Sequence, residues 1–123
     1  MNSSLTVFLV EDDTDLQLGC VQALQLADIA VRAFGSVEAL LPHLSPGMAG
    51  VVVTDMRLPG ADGLSLIEEA HDMDPDLPVI MITGHGDVNL AVQAMRAGAY
   101  DFIPKPFSPE QLVEVVQRAL DKR

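Results

Sequence analysis

"VVVTDMRLPGADG", residues 51–63, begins as a run of valines and breaks off on a carboxylate, Asp55, ahead of turn-forming residues. A β-branched run without polar alternation suits a strand covered on both faces, as a central strand of a parallel sheet is. A carboxylate that close to a core costs several kcal/mol unless something neutralises or pairs it. Residues 51–55 therefore ask for helices on either side of them and for a chemical partner, or a reaction, at Asp55.

Outward from this stretch, short apolar runs alternate with segments of helical period. "LTVFLV" (5–10), "IAVRAF" (29–34), "GVVVTD" (50–55), "LPVIMIT" (77–83) and "AYDFI" (99–103) read as five strands. The third and fourth are the continuous ones and belong at the centre, whereas the second carries Arg32 and suits an edge. Between them apolar residues recur at three-and-four spacing, each set a stripe on a helix expected to pack into the core. The stripes are Leu16, Cys20, Ala23, Leu24 and Ala27; Val37, Leu40, Leu41 and Leu44; Leu64, Ile67 and Ala70; Val88, Ala91, Val92 and Met95; and Leu112, Val115, Val116, Ala119 and Leu120. Ser108, Pro109, Glu110 and Gln111 supply a cap, a first-turn proline and a capping-box partner, and Gly98 stands where a left-handed cap would close the fourth helix. Asp12 or Asp13 could cap the first helix, and Asp62 and Asp87 read as helix N-caps. Strict strand-helix alternation implies a doubly wound α/β domain with right-handed crossovers.

A length of 123 residues suits one domain, residues 1–123, and lets roughly two-thirds of the unfolded surface be buried. Seven Lys plus Arg against eighteen Asp plus Glu leave a net charge of −11, which disfavours direct nucleic-acid binding and anionic membranes. The single cysteine, Cys20, cannot form an internal disulfide and fits a reducing compartment as a small core residue. The first residues, "MNSSLTVFLVEDD", lack the basic start of a signal sequence, and no segment approaches the roughly 20 apolar residues of a membrane span. A cytoplasmic protein is expected.

In open α/β sheets ligands bind beyond the carboxyl ends of the strands. There the first strand runs into Glu11, Asp12 and Asp13, the third ends in Asp55, the fourth in Thr83, and the fifth leads to Lys105 between Pro104 and Pro106. Two carboxylates about 5 Å apart repel by roughly 3 kcal/mol at an effective dielectric of 20, so such a rim needs a cation or must take up protons. Carboxylates with room for water and phosphate oxygens suit Mg²⁺. Thr83 can donate a hydrogen bond and Lys105 offers a point charge for a phosphate, its direction stiffened by the two prolines. Together they make a site for a phosphoryl group on a carboxylate, with Asp55 as the nucleophile. His43, His71 and His85 lack metal-ligand spacing, so zinc is not expected.

"VFLVEDD", "VVVTDMRLPGADG", "VIMITGHGD" and "AGAYDFIPKPF", in this order and spacing, resemble the receiver domain of bacterial two-component response regulators over nearly the whole chain. The resemblance implies a (βα)5 flavodoxin-like (CheY-like) fold with a parallel five-stranded sheet of order 2-1-3-4-5. It implies that Asp55 is phosphorylated by a sensor histidine kinase with Mg²⁺ as cofactor, the domain being a phosphoacceptor rather than an enzyme with turnover. Asp12, Asp55 and the carbonyl of Arg57 would hold the metal, Glu11 acting through water, while Thr83, Phe102 and Lys105 would be the switch residues and the Lys105–Pro106 bond cis. The side chains of Arg57 and His85 would tune how long the acyl phosphate lasts. Glu11 stands where Asp is commoner in the family, and Phe102 where Tyr often stands.

Within the family, "TGHGDVNLAVQAMRAGAYDFIPKPF" most resembles receivers of the NtrC and DctD (C4-dicarboxylate transport regulator) type, with FixJ-type receivers close behind. That implies the N-terminal fragment of a longer transcriptional regulator, with an ATPase working with sigma-54 polymerase and a DNA-binding domain. Phosphorylation would shift the fourth helix, fifth strand and fifth helix, and give a homodimer or release the output domain. Rival readings are a stand-alone receiver that signals by docking and an aspartate-nucleophile phosphatase. The phosphatase is disfavoured because Arg57 stands where its second aspartate belongs. The sequence names neither kinase, stimulus nor target genes.

Overall fold

The computed structural model describes residues 5–58, 61–84 and 86–123. Five strands, β1 (Thr6–Val10), β2 (Ala30–Phe34), β3 (Gly50–Asp55), β4 (Val79–Thr83) and β5 (Asp101–Pro104), form one sheet. Its order is 2-1-3-4-5 and every neighbouring pair is parallel. The helices are α1 (Thr14–Leu26), α2 (Val37–Leu40), α3 (Gly63–Met73), α4 (Val88–Ala97) and α5 (Pro109–Lys122). A two-residue ribbon, Arg57–Leu58 against Ala61–Asp62, follows β3. This is the CheY-like flavodoxin fold expected from the sequence.

Apolar burial explains the layering. Val51 and Val53 of β3 face the α1 and α5 side, packing with Cys20, Leu24, Val116 and Leu120, whereas Val52 faces Leu66, Ile67 and Leu77 on the other side. Successive strand side chains point to opposite faces, so an uninterrupted valine run serves two cores at once. All residues of β3 and β4 are buried, while β2 is largely exposed and forms an edge. Cys20 is buried, and burial pushes its thiol up to about 11.

Local signals end the helices largely as read. Ser108 and Gln111 form a reciprocal capping box at α5, and Asp13 Oδ1 accepts from Leu16 N at 3.0 Å at α1. Asp87 occupies the N-cap position of α4 without a capping hydrogen bond from its side chain. The side chain of Asp62 lies outside the described residues.

Two helical stripes differ from expectation. The stripe from Val37 to Leu44 becomes four residues of α2 and a 3₁₀ turn at Leu41–His43, because Pro42 has no N–H to continue the ladder. In α4 the buried residues are Ala91 and Ala94, while Val88, Val92 and Met95 are exposed, Val88 by 71%. Of the expected stripe only Ala91 is buried; Ala94, outside it, is the other buried residue, and Leu90 packs partly against the core. The fifth strand also starts at Asp101 rather than residue 99, since Ala99 N still closes α4 by bonding to Ala94 O at 3.0 Å.

At the end of the molecule away from the carboxyl rim, Arg123 ties three segments together. Its guanidinium donates to Met48 O at 2.7 Å and to Asp74 Oδ2 at 2.8 Å, and Asp74 also accepts from Gly47 N. The hydrogen bond from Arg123, then that from Gly47, hold the Asp74 carboxyl down at about 2.

Gly98 has φ of 110°, and a Cβ there would run into the His71 ring. Gly98→Ala should therefore lower stability by about 1–3 kcal/mol in urea denaturation. Gly19, in the interior of α1 with open space around it, should respond oppositely, Gly19→Ala adding roughly 0.5–1 kcal/mol.

Candidate functional site

Strand register brings the reactive residues together. Val10 of β1 pairs with Thr54 of β3, so Glu11 and Asp55 follow side by side, and Thr83 of β4 pairs with Pro104 of β5, one residue before Lys105. Lys105 N donates to Thr83 O at 2.8 Å, and the Lys105–Pro106 bond is cis as expected. Lys105 Nζ donates to Asp55 Oδ2 at 2.7 Å and stands 3.9 Å from Glu11 Oε1.

The carboxylates are deep. Glu11 is 1% and Asp55 5% exposed, and Thr83 is buried beside them. Burial pushes the Glu11 carboxyl up to about 7; the hydrogen bond from Asp13 N–H opposes it, the adjacent Asp55 carboxylate adds to the rise, and the Lys105 charge offsets it least. Burial also disfavours the charge on Lys105, but the hydrogen bond it donates to Asp55 and the charges of Asp55, Glu11 and Asp13 together hold the ammonium above its ordinary range. One ammonium thus serves two crowded acids. Glu11 Oε2 accepts from Asp13 N at 3.0 Å, but the buried Oε1 has no hydrogen-bond partner among the described residues. An orphaned buried carboxylate oxygen is costly and marks a place where a cation or ordered water belongs.

Asp12 is exposed just after β1, and Arg57 lies in the ribbon just after β3, its side chain outside the described residues, as is the whole of His85. Among the described residues no three His, Cys, Asp or Glu side chains form a metal site on their own. The donors expected from the sequence, the carboxylates of Glu11, Asp12 and Asp55 with the Arg57 carbonyl, would suit an ion that keeps much of its water, as Mg²⁺ does, and not one that needs an all-protein cage.

Beside the acids, Thr83 and Lys105 open onto a cleft of about 460 Å³ between α4 and β5, lined by Val88, Val92, Met95 and Phe102. Phe102, 37% exposed, is on the strand next to Met81. The site and the exposed face of α4 are therefore one continuous surface. Gln17, which sequence reasoning passed over, also belongs here: its side-chain amide donates to Glu11 O at 2.9 Å and to Phe34 O at 3.2 Å. An amide one helical turn beyond the acidic run was the only signal, and a poor one, because it bonds to main chain that any sequence supplies.

The family model for the response regulator receiver domain matches residues 7–117. The C4-dicarboxylate transport transcriptional regulatory protein DctD of Rhizobium meliloti (strain 1021) is 48% identical over 123 residues, all of this chain and 27% of DctD. The transcriptional regulatory protein FixJ of the same organism is 40% identical over 93% of this chain and 56% of FixJ. Full-length FixJ from B. japonicum superposes with a TM-score of 0.87 at 35% identity, covering 95% of this chain and 58% of that one. The chain thus spans about a quarter to just over half of the length of these relatives.

Because the folded value of Glu11, about 7, lies above its ordinary 4.5, its protonation contributes stability that is complete below 4.5 and is lost as pH rises through 7. In magnesium-free buffer, unfolding free energy should fall across that window by up to about 1.4 kcal/mol per pH unit. Glu11→Gln should flatten this fall, and parallel curves for the two proteins would contradict it.

Proposed function

The chain belongs to the response regulator receiver domain family, and on that premise we propose that Asp55 accepts a phosphoryl group from a sensor histidine kinase. The observation that carries the reading is the 2.7 Å pair between Lys105 Nζ and Asp55 Oδ2, set beside a buried Glu11 and Thr83 at the carboxyl ends of β1, β3 and β4. A carboxylate oxygen of Asp55 attacks phosphorus, the bond from phosphorus to the donor's imidazole nitrogen breaks, and an acyl phosphate remains on Asp55. Lys105 keeps its ammonium beside the incoming phosphoryl oxygens, where it neutralises charge without needing to reorganise. Glu11, Asp12, Asp55 and the Arg57 carbonyl would hold Mg²⁺, which when bound supplies the remaining positive charge.

Thr83 lies between this chemistry and the α4–β5 cleft. Its hydroxyl turns toward the phosphoryl group, Phe102 enters the space released, and α4, β5 and α5 settle into a second packing. The exposed Val88, Val92 and Met95 give that surface apolar area to bury, in a homodimer or against an output domain. The 48% identity to DctD, against 40% to FixJ, favours an ATPase that works with sigma-54 polymerase as the output, joined to a DNA-binding domain. The net charge of −11 is consistent with leaving DNA contact to such a partner domain.

Acetyl phosphate with Mg²⁺ should add a single acid-stable, base-labile phosphoryl group, read by intact mass, and Asp55→Asn should take up none. Labelling of the Asn variant to the same extent would remove Asp55 from its role. Beryllium fluoride with Mg²⁺ should shift the wild-type chain to dimer mobility in size-exclusion chromatography, and Thr83→Ala should bind the fluoride yet stay monomeric.

A further inference from the structure

The backbone that carries the acidic pair lies beyond the end of β1, so the strand ladder alone does not fix it. Three contacts do. Glu11 N donates to Phe34 O at 3.0 Å, Glu11 Oε2 accepts from Asp13 N, and Gln17 Nε2 bridges Glu11 O and Phe34 O. Gln17 is itself seated by its own main-chain N–H, which donates to Asp13 O at 2.9 Å. Residues 11–17 thereby close into a ring, with the side-chain amide of α1 returning to the carbonyl of the first acid.

We propose that Gln17 is a positioning residue for the metal-binding carboxylates. Phe34 O receives both the Glu11 N–H and one Gln17 N–H, so one amide locks the end of β2, the β1–α1 turn and the first turns of α1 to each other. With its carbonyl held, the peptide leading into Asp12 keeps a single orientation, and the exposed Asp12 side chain is delivered to the rim rather than sampling solvent. Exposed carboxylates lose more affinity to disorder than buried ones, and groups that orient ligands commonly govern metal binding as strongly as weaker ligands do. Gln17 touches neither Asp55 nor the place of the phosphoryl group in these contacts, so its action runs through Glu11 and Asp12. The proposal rests on the magnesium reading of the site.

The test is calorimetric Mg²⁺ titration of the wild type, Gln17→Met and Gln17→Arg, with thermal unfolding of each in EDTA. Gln17→Met keeps the length but has no donor, and it should weaken Mg²⁺ binding about tenfold. Gln17→Arg, which again offers N–H donors to the two carbonyls, should stay within about twofold of wild type. Amide hydrogen exchange at Glu11 in EDTA should quicken in the Met variant only. Gln17→Leu carries the same comparison should the Met variant unfold. A donor-less variant that folds and binds Mg²⁺ as wild type does would overturn the positioning role while leaving the site intact. A wild type that takes up no Mg²⁺ at millimolar concentration would bring down the metal reading and this inference together.

Discussion

Glu11 and Asp55 stand side by side at the ends of adjacent parallel strands, with the Lys105 ammonium 2.7 Å from one and 3.9 Å from the other. Burial strips Glu11 of water and the neighbouring Asp55 adds to the cost of its charge, with Lys105 offsetting only part of it, which is why Glu11 is pushed toward neutrality. Most of the molecule can be understood as the apparatus that enforces this crowding. The sheet register sets β1 against β3, the two apolar layers hold that register, and β5 ends at Pro104 so that Lys105, its N–H bonded to Thr83 O, follows at the rim. A site left short of positive charge is one that a divalent cation would complete.

The same crowding is linked to a surface. Thr83 and Lys105 line both the acidic rim and the cleft under α4, and the walls of that cleft are apolar yet exposed. The fully buried residues of α4 are the small Ala91 and Ala94, with Leu90 packing partly against the core, so Val88, Val92 and Met95 are left exposed. α1 and α5, by contrast, bury Leu24, Leu112, Val116 and Leu120 and form a firm side of the molecule. A well-buried side and a more exposed one would suit the switch between two packings proposed for this domain.

Much of the fold was legible because its signals are local or periodic. The valine run before Asp55 required two covered faces, Ser108 and Gln111 wrote their own capping box, and Gly98 supplied the left-handed turn that any side chain would resist. The stripe at Val88, Val92 and Met95 misled because period measures apolarity and says nothing about what covers it. The stripe through Leu41 and Leu44 misled because Pro42 overrides period at the level of the backbone. Gln17 was missed since its partners are two carbonyls contributed by β2 and by the turn after β1.

The sequence by itself determined which residues have chemistry to offer and that they lie at strand ends, since β-strand period and turn residues are properties of neighbouring positions. It also determined the family, through four motifs in a fixed order and spacing. Only the tertiary structure decided that Lys105 reaches Asp55, that Glu11 loses its water and rises toward 7, that Asp12 remains at the exposed rim, and that α4 shows its apolar face to solvent. The reason is that desolvation and charge coupling depend on distances between residues fifty positions apart, and those distances exist only once the sheet has closed its register.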